Sequence, residues 1–264
     1  MKLAAIQFRP PKGDPDNARR ELLRLVHAAG REGADIIVCP ELATTGYMWS
    51  SPQELAPFTE SPRGPTFQLL SAAAKQYGAW IVCGFAERFI HAPERDPEGT
   101  GRRMASLFNS AMVVMPEGHL ATCYRKVCLY EADRSWANPG WRRPVCPTPM
   151  GTMAPAICMD INDPEFSDFL QHTTPDIIAF CTNWIEEGQP VHPYWQQRLS
   201  GWRGWLIAAN SWGEDRGVRF CGRSAIMAPD GTIVAEAASE GDEVLVVEVQ
   251  TGPVEWMPNI PAEA

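Results

Sequence analysis

A cysteine attacks a carbon centre only where its thiol can lose a proton and a substrate can reach the sulfur. Cys158 has the position for both. It closes an apolar run, Ala154-Pro155-Ala156-Ile157, and is followed by Met159-Asp160-Ile161-Asn162-Asp163-Pro164-Glu165-Phe166, a polar turn leading into a helix. A strand-to-helix turn exposes the side chain and frees backbone N–H groups, so the Met159 amide is placed to face an oxyanion. An inert buried cysteine at a strand end looks the same locally, and on this stretch alone the two readings weigh about equally.

A base and a cation would complete such chemistry. Glu41, after an apolar run at 35–39, can take a thiol proton; Lys126, after one at 120–124, can stabilise developing negative charge. A lone Glu in a loop or a lone Lys after a strand is far more often a solvated residue, so only the combination carries weight. Rival nucleophile schemes fare worse. A Cys–His pair has only His172 and His192 after Cys158, and His192, between Val191 and Pro193, reads as a loop residue. Gly222-Arg223-Ser224-Ala225-Ile226 lacks the second glycine of a serine-hydrolase elbow.

The surrounding elements must bring these residues together. Residues 2–8 read as a short apolar strand, and 16–31 carry Ala18, Leu22, Leu25, Val26 and Ala29 at helical spacing, with Gly33 as the stop. Residues 35–39 read as a buried strand leading into a polar loop at 40–47. A helix at 64–77 and a strand at 79–86 repeat the unit, and 90–103, rich in Pro, Gly and charge, reads as a surface excursion. Two hairpins turn at Pro116-Glu117-Gly118 and Pro229-Asp230-Gly231, joining 110–115 to 120–124 and 225–228 to 232–236. Strands at 153–158, 176–181, 206–210 and 243–249 complete the set. No linker-like stretch interrupts the alternation, which predicts one α/β domain over 1–264, with a core at 1–249 and a tail at 250–264 lying over a surface or a neighbouring subunit. The doubled hairpin pattern suggests two related sheets.

Composition excludes several classes of partner. With 45% hydrophobic and 21% charged residues the chain can form a sizeable core. A net charge of −9 without any cluster of Lys and Arg argues against nucleic acid and against an anionic membrane. The first apolar run is too short for a signal peptide and Arg9-Pro10-Pro11 ends it, while no segment approaches the ~20 apolar residues of a membrane span. A cytoplasmic protein is expected, with its eight cysteines reduced and mostly inert in the core, Cys39, Cys83 and Cys181 among them. No C-x-x-C pair occurs, and Cys123 and Cys128 are too widely spaced and lack a His pair, so no structural zinc is expected.

Pro40-Glu41-Leu42 with Thr45-Gly46-Tyr47, then Tyr124-Arg125-Lys126-Val127-Cys128-Leu129 with Asn138-Pro139-Gly140, then Ile157-Cys158-Met159-Asp160 with Pro164-Glu165, resemble in order and spacing the nitrilase superfamily of carbon–nitrogen hydrolases. Asn109-Ser110, Thr182-Asn183-Trp184, Ala208-Ala209-Asn210 and Gly222-Arg223-Ser224 extend the resemblance over roughly residues 1–249. It implies an α/β fold, a four-layer α-β-β-α sandwich, with the three motif residues meeting at one end of the sheets. In that scheme Glu41 is the general base, Cys158 the nucleophile, and Lys126 with the Met159 N–H the stabilisers of the tetrahedral intermediate. No metal or organic cofactor is implied. A homodimer or larger homo-oligomer is. Tyr47, Asn183 and Trp184 would contact substrate, in a mouth shaped by 47–63, 90–103 and 185–194.

A second family carboxylate follows the Lys by about seven residues. Spacing, counted from Lys126 and back from Asn138-Pro139-Gly140, puts Asp133 there, whereas matching the Glu side chain favours Glu131; spacing is preferred. Two other positions depart from the family. Cys128 stands where many members have His, and of an Arg-Ala-x-Glu-Asn run before Ala208 only Arg198 remains, in Arg198-Leu199-Ser200-Gly201-Trp202.

The reaction implied is hydrolysis of a non-peptide carboxamide through a cysteine thioester, releasing ammonia or an amine. Nitrilases of the family tend to follow the nucleophile with Trp-Glu; Met159-Asp160 sides with amidases, and the run from Cys158 to Asn162 is similar to protein N-terminal Asn/Gln amidases. Nitrile or N-carbamoyl amine hydrolysis is the alternative within enzymes. A non-catalytic binding protein on this fold would be expected to lose Cys, Glu or Lys, and all three are kept. Trp195, Trp202, Trp205 and Trp212 read as core or oligomer contacts rather than a ligand cage. Asp163, Glu186 and Glu187, just beyond the implied mouth, suggest an acidic rim favouring an ammonium group, against the competing reading of an ordinary solvated surface.

Overall fold

The structure, a computed structural model, describes residues 1–91 and 105–250. Most of the excursion expected at 90–103 and the tail after Thr251 lie outside them. Strand β1 (Lys2–Gln7) leads to helix α1 (Pro15–Arg31), entered by Pro15 under an Asp14 side chain that accepts from the Asn17 N–H at 3.2 Å. Then come β2 (Ile36–Val38), the single turn α2 (Pro52–Leu55), α3 (Pro65–Tyr77), β3 (Trp80–Ile90), β4 (Ala105–Val114) and β5 (Leu120–Arg125). The second half holds β6 (Cys146–Thr148), β7 (Gly151–Ile157), α4 (Pro164–Thr173), β8 (Ile177–Cys181), α5 (Val191–Arg198) and β9 (Trp205–Ala209). A hairpin of β10 (Trp212–Asp215) and β11 (Val218–Cys221) precedes β12 (Ala225–Met227), β13 (Ile233–Glu236) and β14 (Glu243–Glu248).

Two six-stranded sheets result, ordered β14-β1-β2-β3-β4-β5 and β13-β12-β9-β8-β7-β6. In each, three central strands run parallel and the outer pairings are antiparallel. The sheets pack face to face through Leu3, Ala5, Val38, Val82, Ala111 and Val113 of the first and Met153, Ile157, Ala179, Ile207 and Ile226 of the second. Alternate residues face outward: Ala4, Ile6, Ile37 and Ile81 meet Leu22, Val26, Phe67 and Leu70 of α1 and α3, and Ala156, Ile178, Phe180 and Leu206 meet Phe166, Leu170 and Trp195 of α4 and α5. Because central strands are covered on both faces, they read as continuous apolar runs rather than alternating ones. The layers are therefore α-β-β-α.

Local differences from the expected elements have physical causes. The stretch 40–47, expected as a polar loop, is buried throughout, because it is wedged where the ends of the two sheets meet. Helix α5 is missing from the expectation; its first turn holds a proline and its polar and apolar residues are not segregated to opposite faces, so periodicity carried no signal. His192, expected in a loop, lies in that helix, with Nε2 on the Arg223 carbonyl at 2.8 Å. Hairpin β10–β11 turns on Arg216-Gly217, both at positive φ, a two-residue connection whose single glycine was the available signal. Among the described residues no helix is long and apolar enough to cross a membrane.

Candidate active site

The candidate residues sit just beyond the C-terminal ends of β2, β5 and β7, strands of both sheets, where chain leaves the sheet and backbone groups are free. Glu41 follows β2. Its loop is stitched to β3 by Ala43 N–H to the Gly84 carbonyl (2.9 Å) and Gly84 N–H to the Pro40 carbonyl (3.1 Å). A Cβ on residue 84 would stand 2.5 Å from Glu41 Cα, so only glycine lets the loop lie this close. Lys126 follows β5, its N–H on the Asn109 carbonyl and its own carbonyl accepting from Gly140 N–H at 2.7 Å. The Asn138-Pro139-Gly140 segment thus backs the lysine, and a Cβ at 140 would come within 2.0 Å of the Arg125 oxygen.

Lys126, fully buried, places Nζ 2.7 Å from Glu41 Oε1 and 2.6 Å from Asp133 Oδ2. Burial works against its charge, but the Asp133 and Glu41 carboxylates more than offset this and hold its pKa well above the ordinary lysine value, so it is an ammonium. Asp133 also accepts from the Tyr130 N–H at 3.0 Å. Its shorter side chain reaches because a 3-10 turn, Asp133–Ser135, brings its backbone inward. Glu131 is exposed and has no place in this cluster, which corrects the choice made by side-chain type.

Glu41 is held at both oxygens. Oε1 accepts from Lys126 and from Asn109 Nδ2 at 2.7 Å, and Oε2 from the Asn183 N–H at 2.9 Å. Burial, opposed by Lys126 and reinforced by Asp133, raises its pKa above the usual glutamate value, which makes it a stronger base. Cys158 occupies the turn between β7 and α4 with φ +42°, a left-handed conformation uncommon for a residue with a side chain. Burial and then the Glu41 charge push its thiol up, against weaker opposing influences of Lys126, Thr182 and the Asn183 amide. The thiol therefore rests protonated. This arrangement suits removal of the proton by Glu41 as attack begins.

Cys158 opens on a cavity of about 360 Å³ whose lining includes Tyr47, Tyr130, Met159, Trp184, Glu187 and Tyr194. Tyr47 is buried; its hydroxyl makes no close hydrogen bond among the described residues, and burial, followed by the Asp133 and Glu41 charges, holds its pKa well above the ordinary tyrosine value. Trp184 packs on Tyr194 with ring centres 5.5 Å apart. Asn183, expected to contact substrate, lines the cavity, yet its N–H and its Nδ2 both donate to Glu41, the latter to the main-chain oxygen at 2.9 Å, so both groups are committed to holding Glu41. The acidic rim contracts to one residue. Asp163 pairs with Arg143 and caps α4, and Glu186 pairs with Arg219 at 3.0 Å, leaving Glu187 at the mouth.

Two groups that the sequence offered only as motif residues take part in the site. Asn109 Nδ2 spans Glu41 and Asp133, at 2.7 and 3.1 Å. Asp160, two residues after Cys158, accepts from Tyr124 Oη (2.6 Å) and the N–H groups of Ile157 (2.8 Å), Val127 (3.2 Å) and Cys128 (3.0 Å). It ties the lysine loop to the cysteine turn. The contact at Cys128 is through its backbone, so the loss of a family His there leaves this tie intact. Among the described residues no group of three or more His, Cys, Asp or Glu is arranged to hold a metal ion.

Comparison with known proteins agrees with this architecture. A nitrilase of Pyrococcus abyssi is 29% identical over 254 residues, covering 94% of this chain and 89% of its own. A protein N-terminal amidase of Schizosaccharomyces pombe is 27% identical, with 86% and 91% covered, and an (R)-stereoselective amidase of a Pseudomonas species 29% identical, with 91% and 82% covered. Among solved structures, the amidase of Nesterenkonia sp. AN1, with acrylamide joined to its active-site cysteine by Michael addition, matches with a TM-score of 0.77 over 95% of this chain and 93% of that one, at 22% identity. A family model described as carbon-nitrogen hydrolase matches residues 2–258, and the chain belongs to that family.

Proposed function

We propose that this protein is a cysteine amidase that hydrolyses a small carboxamide bearing an ammonium group. The observation that carries the reading is the buried Lys126 ammonium clamped between Glu41 and Asp133, with Cys158 lining a cavity of about 360 Å³. Glu41 takes the Cys158 proton as the sulfur bonds to the amide carbon, and the carbonyl electron pair moves onto oxygen. Lys126 Nζ and the Met159 N–H stabilise that oxyanion, and the Tyr47 hydroxyl orients the substrate. Collapse breaks the C–N bond, with Glu41 returning its proton to the leaving nitrogen. Water, deprotonated by Glu41, then attacks the thioester, the C–S bond breaks, and the thiol and a carboxylic acid are regenerated. Asp133, Asn109 and Asn183 keep the lysine and base in register throughout.

Relatives named as amidases support the amide over the nitrile, as does Met159-Asp160 after the nucleophile. The nitrilase name of the Pyrococcus relative keeps nitriles in the test. Tyr47, Tyr130 and Tyr194 give the cavity an aromatic wall, and Glu187 supplies the charge for an ammonium group. A cytoplasmic setting, where eight free thiols stay reduced, and a homodimer or larger assembly belong to the same reading. Ammonia release should be measured across primary amides, a nitrile, a carbamoyl amine and dipeptides beginning with Asn or Gln. We expect turnover on amides, its loss by at least about a thousandfold in Cys158→Ala with folding unchanged, and an acyl adduct on the Cys158 peptide. Full activity in Cys158→Ala, or an adduct on Cys128 or Cys181, would overturn the reading.

A further inference from the structure

We infer that Thr182 is a further residue of this site, its hydroxyl donating a hydrogen bond to the Cys158 sulfur once the thiol proton has left. The inference rests on Cys158 being the nucleophile. Strands β7 and β8 run parallel with Ile157 paired to Cys181, so the next residues out of the sheet, Cys158 and Thr182, emerge side by side. Thr182 is fully buried, and Oγ1 has no hydrogen-bond partner among the described residues. A buried hydroxyl left unpaired is costly, and such groups in a native site call for a role.

The electrostatics of the site leave that role open. When Cys158 gives up its proton, the sulfur gains charge in a place where burial and the Glu41 carboxylate oppose it. Lys126 is shared between two carboxylates, and it must also serve the oxyanion. The other titratable neighbours, Tyr47 and Tyr130, sense the Cys158 charge as a destabilising one. Thr182 and the Asn183 amide are the groups on the β8 side whose dipoles favour the thiolate. The balance is simple: the proton passes to Glu41, the electron pair stays on sulfur, and the Thr182 proton stays on its oxygen while bridging to the sulfur.

The test compares alkylation of the intact protein by iodoacetamide from pH 6 to 10, with the adduct located by mass spectrometry, in wild type, T182V, T182S and C158A. T182V keeps the shape and removes the hydroxyl; T182S keeps the hydroxyl. We expect T182V to alkylate Cys158 about tenfold more slowly at neutral pH, with its pH profile displaced to higher pH, because a hydrogen bond to a charged group is lost. T182S should recover most of the rate and the original profile. Should T182V fail to fold, T182A against T182S gives the same contrast. An unchanged T182V rate, or a loss that T182S does not recover, overturns the role of Thr182. Wild-type labelling that falls on another cysteine rather than on Cys158, and is the same in C158A, instead overturns the nucleophile assignment.

Discussion

One ammonium set between two carboxylates makes the position of Lys126 the most demanding feature of the site. Asp133→Asn keeps the shape but removes one of the two charges, so Lys126 should swing toward Glu41 and lose aim at the oxyanion. We expect kcat to fall about a hundredfold to a thousandfold with little change in KM or in melting temperature. Glu131→Gln should stay within about twofold, since that side chain lies in solvent. Near-normal turnover in Asp133→Asn would show that the second carboxylate does not act here. The same environment sets the pH profile. Burial raises the Glu41 pKa, so the base is lost to protonation at a higher pH than an ordinary glutamate would allow, and kcat/KM should climb as pH rises through that elevated value. Lys126 is raised well above its usual value, so no alkaline fall from it is expected below about pH 10. An acid limb at or below the usual carboxylate range, or a fall between pH 7 and 9 that Cys158 labelling does not share, would contradict this assignment. Glu41, Lys126 and Cys158 were visible from motif and spacing, and Asp133 from a count anchored at both ends. The contacts that hold them were not legible: Asn109 and Asp160 stood in the sequence only as motif residues, and that their side chains meet Glu41, Asp133 and the lysine loop depends on how segments remote from those partners come together.

Elements position these residues through close backbone approach rather than through bulk. Gly140 packs on the carbonyl of Arg125 just before Lys126, and Gly84 on the backbone of Glu41. A methyl group at either place must move the loop that carries the functional side chain, and a displacement near 1 Å costs on the order of a hundredfold in rate. Gly140→Ala should therefore lower kcat by about that factor while leaving the sheets, and so the far-ultraviolet circular dichroism, unchanged. Unaltered turnover would mean the segment absorbs the clash without moving Lys126. Asp160→Asn attacks the same registration from the other side. It replaces one acceptor oxygen by a donor facing the N–H groups of Val127 and Cys128 or of Ile157, at a cost of about 1–3 kcal/mol in urea unfolding. Most strands were legible because both-face burial writes them as unbroken apolar runs, and α1 because its buried face repeats at helical spacing. Helix α5, the β10–β11 hairpin and the buried course of 40–47 were not, since each owes its conformation to what it packs against.

Seen as a whole, the two sheets repeat one pairing scheme: from β14 to β5 and from β6 to β13 the neighbours run antiparallel, parallel, parallel, antiparallel, antiparallel. Glu41 after β2 and Asn183 after β8 occupy equivalent places, and they are hydrogen-bonded to one another across the junction. The site is thus a seam between halves, with its mouth on the side where Glu187 stands. The molecule carries a net charge of −9, which would draw any cationic substrate from a distance, whereas Glu187 acts only on one already at the cavity. The two contributions separate experimentally. Raising salt from 0.02 to 0.3 M should lower kcat/KM for an ammonium-bearing amide in wild type and in Glu187→Gln alike, because screening weakens the long-range field in both. Glu187→Gln at fixed salt should raise KM for that substrate by about two- to fivefold, the worth of one solvent-facing ion pair, and leave kcat unchanged. For an uncharged amide of the same size neither change should matter. If the neutral amide suffers equally, Glu187 shapes the mouth by packing, and if the cationic amide is indifferent to both, recognition of an ammonium group has no part in the choice of substrate.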